Sequence, residues 1–526
     1  MISIGTNREC FFDDYLIDNE KTTAKFKIHH PVKEEMVMLC DKPWEGDYCG
    51  YFNFFFDKNH KGFDGSHPEG VYRMYYLGRR SGYSYSKATK EDVAGGAVVC
   101  YAESADGINW VKPELDIFSW RGNTKNNIIL DKTVHPDIDN FYVFYDENPD
   151  CPADEKYKGI CANDEPKGPN GELNEFRLYS FLSADGIHFR MGNMLTNKGF
   201  FDSLNIIMWD NEAKKYRGYV RGLHKKGEDP AKATGNVGAW DKTGGAIKTE
   251  TNAAGGKMPE CIRAVMYIES EDFITWSEPK FLSYSDGREF QMYTNGISKY
   301  FRAPNIYVSI ATRYVERGDW TKNYDQLCGL EKRKAKIEEG GYVRFGTSLT
   351  DCIFMTSRDG LNFTRYPAAF MRPGAENGKN WVYGDCYPTP MFAAIPSKDG
   401  SDDEMSFYST ENYGMGSHVE VYRYILRLDG FVSLSSTDKE EIIVTKPFVF
   451  EGENLYINFS TSAMGGMCFT LIDEDGNKIE SCETFGDSTD RKVIFDEGAV
   501  AKLSGKKVTM EIKLFDGDIY SMRFGK

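Results

Sequence analysis

The chain has 526 residues, 40% of them hydrophobic, and a formal net charge of −16. That length exceeds what one hydrophobic core usually serves, so two domains are expected, and the apolar fraction excludes a disordered chain. An acidic balance without any basic stripe speaks against nucleic acid as a partner, and no apolar run approaches the roughly 20 residues that span a bilayer.

The opening segment, MISIGTNRECFFDDYLID, lacks the basic start and apolar stretch of a secretory signal. Twelve cysteines stand singly with no CxxC pair, which reads as reduced, mostly buried thiols and a cytoplasmic compartment. Aromatic residues reach 14%, with 32 Tyr and 35 Phe. That excess suits strands around an aromatic core, and it also suits sugar binding, because sugar faces stack on rings.

One phrase recurs along the chain. It reads SADGINW at 104–110, SADGIHF at 183–189, SEDFITW at 270–276 and SRDGLNF at 357–363, with a weaker fifth copy, RLDGFVSL, from Arg427. The aspartates Asp106, Asp185, Asp272, Asp359 and Asp429 are spaced by 79, 87, 87 and 70 residues. Asp and Gly suit a tight turn, the Asp bonding nearby backbone and the Gly accepting positive φ. The Trp or Phe that follows can pack between neighbouring sheets. Strand-like runs precede each copy: GYFNFFFD, VYRMYYLG and AVVCYAES in the first unit, NIIMWD, YRGYVRG and RAVMYIES in the third. Three strands, a turn and a fourth short strand make one propeller blade, so five units predict a five-bladed β-propeller.

No helix longer than about two turns is expected, and the polar segment 324–339 reads as part of a loop. Long loops at 83–96, 224–259 and 319–341 would shape a pocket on one face. After Leu434 the runs PFVFEG, LYINFSTS, CFTLIDEDGNKIES, RKVIF, KKVTMEIKLF and DIYSMRFG alternate apolar and polar residues, as in an antiparallel sandwich. Asp473 opens a segment with a faint calcium-loop look, but without flanking helices it reads as a hairpin turn. The division expected is an all-β chain with a five-bladed propeller over 1–435 and a small β-sandwich over 436–526.

A five-bladed propeller followed by a sandwich, with S-x-D-G-x-x-W phrases closing its blades, resembles the furanosidase-type glycosidases of families 32, 43 and 68. It resembles more closely the bacterial proteins labelled family 32-like. The resembling segments include FFDDYLID, PWEGDYCGY, YRMYY, FDSLN, YTN, FRAP, TRYVERG, NWVYGD and NFSTSA, spread over almost the whole chain. The WMNDPNG and RDP signatures of the invertase type are absent, and the Glu260–Cys261 pair lacks the WECP context. The resemblance therefore implies fold and reaction class and carries over no substrate.

In a propeller the innermost strand of each blade starts near the central funnel, and the antiparallel second strand ends there. Inner-strand starts offer Asp47, Asp139, Asp202, Tyr293 with Asn295, and Asp385. Second-strand ends offer Arg79, Arg80, Asp164, Arg221, Arg313 and Glu411. Glycoside cleavage needs one carboxylic acid to protonate the leaving oxygen and a second carboxylate to activate water or attack the anomeric carbon. Asp202 is the expected base or orienting carboxylate with Asp47 its counterpart, and Glu411 the expected acid with Asp385 beside it. The resemblance, which puts carboxylates in blades one, three and four, or one to three, nominates Asp47, Asp202 and Glu289 instead. Arg80, Arg221 and Arg313 would hold hydroxyls and tune the acid, and Trp44, Trp381 and Tyr293 could stack on sugar.

No phosphate-gripping glycine loop, dinucleotide fingerprint, nucleophile elbow or H-E-x-x-H is present. His29 and His30, before Pro31, read as a surface turn rather than metal ligands. Direct hydrolysis requires no cofactor, although carboxylates converging in a funnel would suit a structural Ca²⁺. Three readings follow: an exo-acting glycosidase on a small glycoside or oligosaccharide, an inverting phosphorylase resembling family 130 with rim arginines holding phosphate, or a non-catalytic carbohydrate-binding propeller.

Overall fold

The computed structural model describes residues 1–82, 90–91, 96–135, 138–164, 176–228, 261–341 and 343–526. The side chains of Asn163, Asp164, Phe176 and Cys261, and all of Glu260, lie outside what is described. Five antiparallel sheets stand in chain order around a common axis. The first four have inner strands at Gly50–Asp57, Asp139–Tyr145, Ile206–Asp210 and Gln291–Thr294 with Ile297–Tyr300. The fifth contains Ala393–Ile395, Glu404–Glu411, Val419–Arg427 and, as its outermost strand, Val32–Cys40 from the other end of the ring. The chain is thus an all-β, five-bladed propeller. Among the described residues no helix is long and apolar enough to cross a membrane.

The repeated phrase forms the joint between blades. In each of the first four copies the serine hydroxyl donates to the aspartate two residues on, at 3.0 Å. It also accepts the backbone N–H of that aspartate and of the next residue. Burial alone would raise the aspartate pKa. Backbone N–H groups and a neighbouring side chain outweigh it and hold Asp106 and Asp185 down at about 2. The next residue is left-handed (Gly107, Gly186, Phe273 and Gly360 have φ of 72°, 75°, 63° and 76°), and it plugs into the preceding blade. Tyr408 donates to the Gly107 carbonyl, Arg73 and Tyr75 to those of Asp185 and Gly186, and Arg217 to that of Asp359. A Cβ on Gly186 would stand 2.7 Å from Arg73 Nη1. The closing aromatics fill the same seams: Trp110 lies 5.4 Å from Tyr408 of blade five, and Phe189 6.5 Å from Tyr75 of blade one.

The fifth copy does something else. Here Asp429 itself is left-handed (φ 57°) and fully buried. Its carboxylate accepts from Tyr300 of blade four (2.7 Å) and from Ser521 (2.6 Å) and Asn458 (3.0 Å) of the C-terminal sheet. Arg8 and Arg302 each stand 3.4 Å away. RLDG therefore leads out of the ring, into Val432–Ser436 of a second, ten-stranded sheet. That sheet is built on two long strands, Asn454–Asp473 and Lys507–Gly525, which shift register between Thr461 and Gly466 and fold over a single apolar core. The Asp473 segment is a turn, its carboxylate accepting the N–H groups of Asp475 and Asn477.

Two sequence expectations need correction. Residues before the closing strand, assigned above to a propeller of 1–435, belong with the sandwich: Ile2–Gly5, Glu9–Cys10 and Lys25–Ile28 pair with its strands, and Phe11, Leu16 and Ile17 enter its core. Because Val32–Cys40 is drawn into blade five, the chain preceding it emerges where the sandwich docks. The segment read as polar loop contains a helix, Leu330–Gly340. Its charged residues bury long stems, and Arg333 and Lys336 are almost fully covered, so tertiary packing stabilises what polarity alone did not signal. All eleven described cysteines are free thiols, most of them buried.

Asp429→Ala would leave Arg302 without the carboxylate beside it, leave Arg8 with Asp490 alone, and strip Tyr300, Ser521 and Asn458 of their buried acceptor. We expect a loss of about 3–5 kcal/mol in denaturant unfolding of the purified protein, whereas a substitution at the exposed Asp475 should change stability by less than about 0.5 kcal/mol.

Candidate active site

The starts of the inner strands enclose a cavity of about 730 Å³ at the mouth of the ring. Every blade contributes: Tyr48 and Tyr51 from the first, Asp139 from the second, Asp202 from the third, Tyr293 from the fourth, Tyr383 and Tyr413 from the fifth. Glu339, on the helix Leu330–Gly340, and Phe345 reach it from the insertion in blade four. Tyr387 backs the wall, its ring stacked on Tyr293 with centroids 5.4 Å apart and an interplanar angle of 10°. Tyr51 and Tyr387 also stack, at 6.1 Å, while Tyr383 meets Tyr293 edge-on at 5.7 Å.

The hydroxyls of Tyr51, Tyr293 and Tyr383 form a hydrogen-bonded chain. Burial, followed by the Asp202 carboxylate, pushes the Tyr293 hydroxyl up to about 12. Burial likewise pushes Tyr51, Tyr383, Tyr387 and Tyr413 well above the ordinary phenol value. These phenols stay protonated across the neutral range, so they offer donors and aromatic faces rather than bases.

Two carboxylates in this cavity each stand beside an arginine. Asp202 is half exposed, with Arg221 Nη2 3.2 Å from its Oδ2. Arg221 is fixed by donating Nε to the Phe200 carbonyl at 2.8 Å, and it lies over the rings of Phe200 and Tyr293. Asp139 has Arg79 Nη1 at 3.9 Å, and the Asn140 amide, oriented so that both its ends are satisfied, donates to Asp139 Oδ1 and accepts from the Ser203 N–H. Burial works against the Arg79 charge, but Asp139 and its neighbours outweigh it and raise the pKa. A proton donor, a second carboxylate and arginines to hold both can all be supplied from this set.

Of the residues offered from sequence, Arg79, Arg80, Asp139, Asp202 and Tyr293 line this cavity, and Arg221 pairs with Asp202. The others lie elsewhere. Asp47 is fully buried, accepting the Ser81 N–H at 2.9 Å and the Ser81 hydroxyl at 2.6 Å, so it anchors the cavity wall from behind. Asp385 is also buried; its Oδ2 accepts the Val382 N–H, and its Oδ1 has no partner. Glu411 receives Lys33 at 2.6 Å and Asn377 at 3.0 Å and faces a separate pocket of about 590 Å³ at the seam of blades four and five. Glu289 is exposed and accepts the Gly227 N–H.

Arg313 forms a two-pronged pair with Asp351 inside blade four, at 2.8 and 2.6 Å. Asn295 donates to the carbonyls of Leu204 and Tyr219, stitching blade four to blade three, much as Asn53 joins blade one to Phe141 and Val143 of blade two. Trp44 is core, donating to Asn127, and Trp381 donates to the Gly374 carbonyl away from the funnel. Strand side chains alternate between faces, so a residue at the right strand end can still point into a seam. Sequence reasoning missed the tyrosine wall, although Tyr48, Tyr51, Tyr383 and Tyr413 sit one to four residues from the acids it chose. Among the described residues no group of three or more His, Cys, Asp or Glu side chains is placed to hold a metal ion.

No family model matches the chain, and neither does any curated protein. Solved structures of similar fold include an N-acetylgalactosamine deacetylase from F. plautii (12% identity, 77% of this chain and 94% of that chain, TM-score 0.39). A family 32 β-fructofuranosidase of Bombyx mori shares 8% identity over 95% and 94% of the two chains (TM-score 0.38). The sucrose-6-phosphate hydrolase of Lactobacillus gasseri shares 10% over 93% and 92% (TM-score 0.37). At these values the likeness is one of overall fold and carries nothing about activity to this chain.

Asp385 provides a pH signature. Burial, with Glu411 adding to it and Lys336 and Arg333 opposing it, raises its pKa from the ordinary carboxylate value to about 8. The folded state then holds a proton that the unfolded state has released, so stability falls as pH rises from about 4 to about 8. Asp385→Asn should flatten that fall, measured as denaturation midpoints of both proteins across pH 4–8.

Proposed function

We propose that the chain is a glycoside hydrolase that cleaves small glycosides or oligosaccharides in the funnel of its propeller, with Asp139 and Asp202 as the reacting carboxylates. The observation that carries this reading is one cavity in which tyrosine rings from three blades surround two arginine-backed carboxylates from the other two. Tyrosine faces and neutral hydroxyl donors match a sugar's alternating C–H faces and hydroxyl edges. Its volume lies in the range of small-molecule sites.

In this mechanism the glycosidic oxygen departs as one carboxylic acid protonates it. The other carboxylate attacks the anomeric carbon, or takes a proton from the attacking water. Asp202 takes the base or nucleophile part, because Arg221 fixes the orientation of its carboxylate and is itself locked by the Phe200 carbonyl. Asp139 supplies the proton, and the phenols of Tyr293 and Tyr383 donate to substrate hydroxyls. No step requires a cofactor.

The test is turnover of a panel of nitrophenyl furanosides and pyranosides by the wild type, Asp202→Asn and Asp139→Asn. Each substitution should lower kcat/KM on the accepted glycoside by at least about a hundredfold, while Glu411→Gln, in its separate pocket, should lower it far less. Equal activity in all four proteins would remove both carboxylates from the mechanism. Sugar binding without any turnover would favour a carbohydrate-binding propeller.

A further inference from the structure

The wall of the funnel formed by residues 79–82 is built with unusual support. Arg79 donates its N–H to the Glu45 carbonyl at 2.8 Å, and Tyr48 returns its N–H to the Arg79 carbonyl at 3.0 Å. Ser81 is held twice by the buried Asp47. Gly46, at φ 77°, lets the two segments touch: a Cβ there would lie 2.0 Å from the Arg79 carbonyl oxygen and 3.0 Å from Arg80 Cδ. Four backbone and side-chain bonds and an obligatory glycine therefore fix where Arg79 and Arg80 begin.

The two guanidinium groups differ in their partners. Arg79 stands beside Asp139. Arg80 donates Nε to the Pro43 carbonyl (3.1 Å) and Nη2 to the Lys42 carbonyl (3.4 Å), and among the described residues it meets no carboxylate. A charged fork tethered by two neutral carbonyls, on the wall of a ligand-sized cavity in a chain of net charge −16, is not explained by folding. Lys132 lines the same cavity. Asp139 stands beside Arg79, and Asp202 and Glu339 also line the cavity, so a charged ligand would meet attraction chiefly at Arg80 and repulsion from the carboxylates, which would fix its orientation.

We propose that Arg80, with Arg79, forms an anion subsite, so that the funnel takes a negatively charged group together with the sugar. This rests on the saccharide reading of the same cavity. The shared chemistry is a planar or tetrahedral oxyanion that a guanidinium fork can grip. It could be carried by the sugar itself, as a uronate or a sulfate or phosphate ester, or arrive as free phosphate beside a neutral sugar.

The experiment is calorimetric titration of the full-length protein with glucuronate and galacturonate against glucose and galactose, in phosphate-free buffer and again with inorganic phosphate. Wild type, Arg80→Gln and Arg80→Lys are compared, with melting curves to verify that each variant is folded. A charge on the ligand should improve affinity by roughly tenfold or more over the neutral parent. Arg80→Gln should bring that ratio to about one, and Arg80→Lys, which keeps the charge but loses the fork, should retain part of it. Preference for uronates without phosphate identifies the sugar as the source of the anion. Neutral sugars that bind only alongside phosphate, lost in Arg80→Gln, identify phosphate. Equal affinity for charged and neutral probes, a preference that survives Arg80→Gln, or no binding of any anion overturns the subsite. An intact anion preference without turnover of any glycoside counts against the hydrolase reading and leaves the subsite standing.

Discussion

Val32–Cys40 hydrogen-bonds antiparallel to Val419–Arg427, from Cys40 opposite Val419 to Val32 opposite Ile425. This pairing joins strands from near the two ends of the ring, and the rest of the molecule depends on it. Without it blade five would keep three strands and an open edge, the situation that invites pairing with another chain. Closing so long a loop costs less than its length suggests, because the entropy grows only logarithmically. Val32–Cys40 offsets that cost with a ladder that runs its length despite two register shifts, and with Met38 and Cys40 buried against Phe54, Trp44 and Val421 in one core. The cavity exists only in the closed ring, since its lining comes from all five blades.

Closure alone would leave the blades free to tilt, and the repeated phrase removes that freedom. The first, second and fourth turns present carbonyls and a left-handed glycine to the blade before them and the third packs Phe273 there, so neighbouring sheets are joined by directed hydrogen bonds as well as by apolar contact. The buried asparagines near the axis extend the same principle inward, satisfying backbone groups that neighbouring inner strands would otherwise leave unpaired. Asp429 turns the last joint outward and ties the sandwich to blade four. The position of Asp139 relative to Asp202 thus descends from a chain of joints running round the ring.

At the funnel, burial has sorted the polar residues by what they can do. Asp47 and Asp385, taken out of water, hold the wall or keep an unpaired oxygen, while the tyrosines beside them in sequence reach the cavity as neutral donors. Asp202 and Asp139 remain in contact with the cavity, each beside an arginine. The carboxylates that meet the cavity stay at its surface beside an arginine, and Asp47, which holds the wall, is buried with its Ser81 partner.

The five repeats were legible because three read S-x-D-G and the other two, SEDF and RLDG, keep the aspartate, and local turn chemistry of that kind is written directly in the chain. So were the strand runs, the C-terminal alternation and the expectation that inner-strand starts meet at one mouth. Which side chain at each start faces the cavity was not legible: Asp47, Tyr48, Tyr383, Asp385 and Tyr413 lie in irregular segments flanking the strands, where no strand alternation sets direction and packing against neighbouring blades decides. The helix Leu330–Gly340 and the transfer of the first 28 residues to the sandwich were hidden for the same reason, since both are stabilised by partners remote in sequence. The sequence by itself determined the blades and their turns, because those depend on neighbours within a few residues. Only the tertiary structure decided which acids meet the cavity, because that depends on strands hundreds of residues apart closing into one ring.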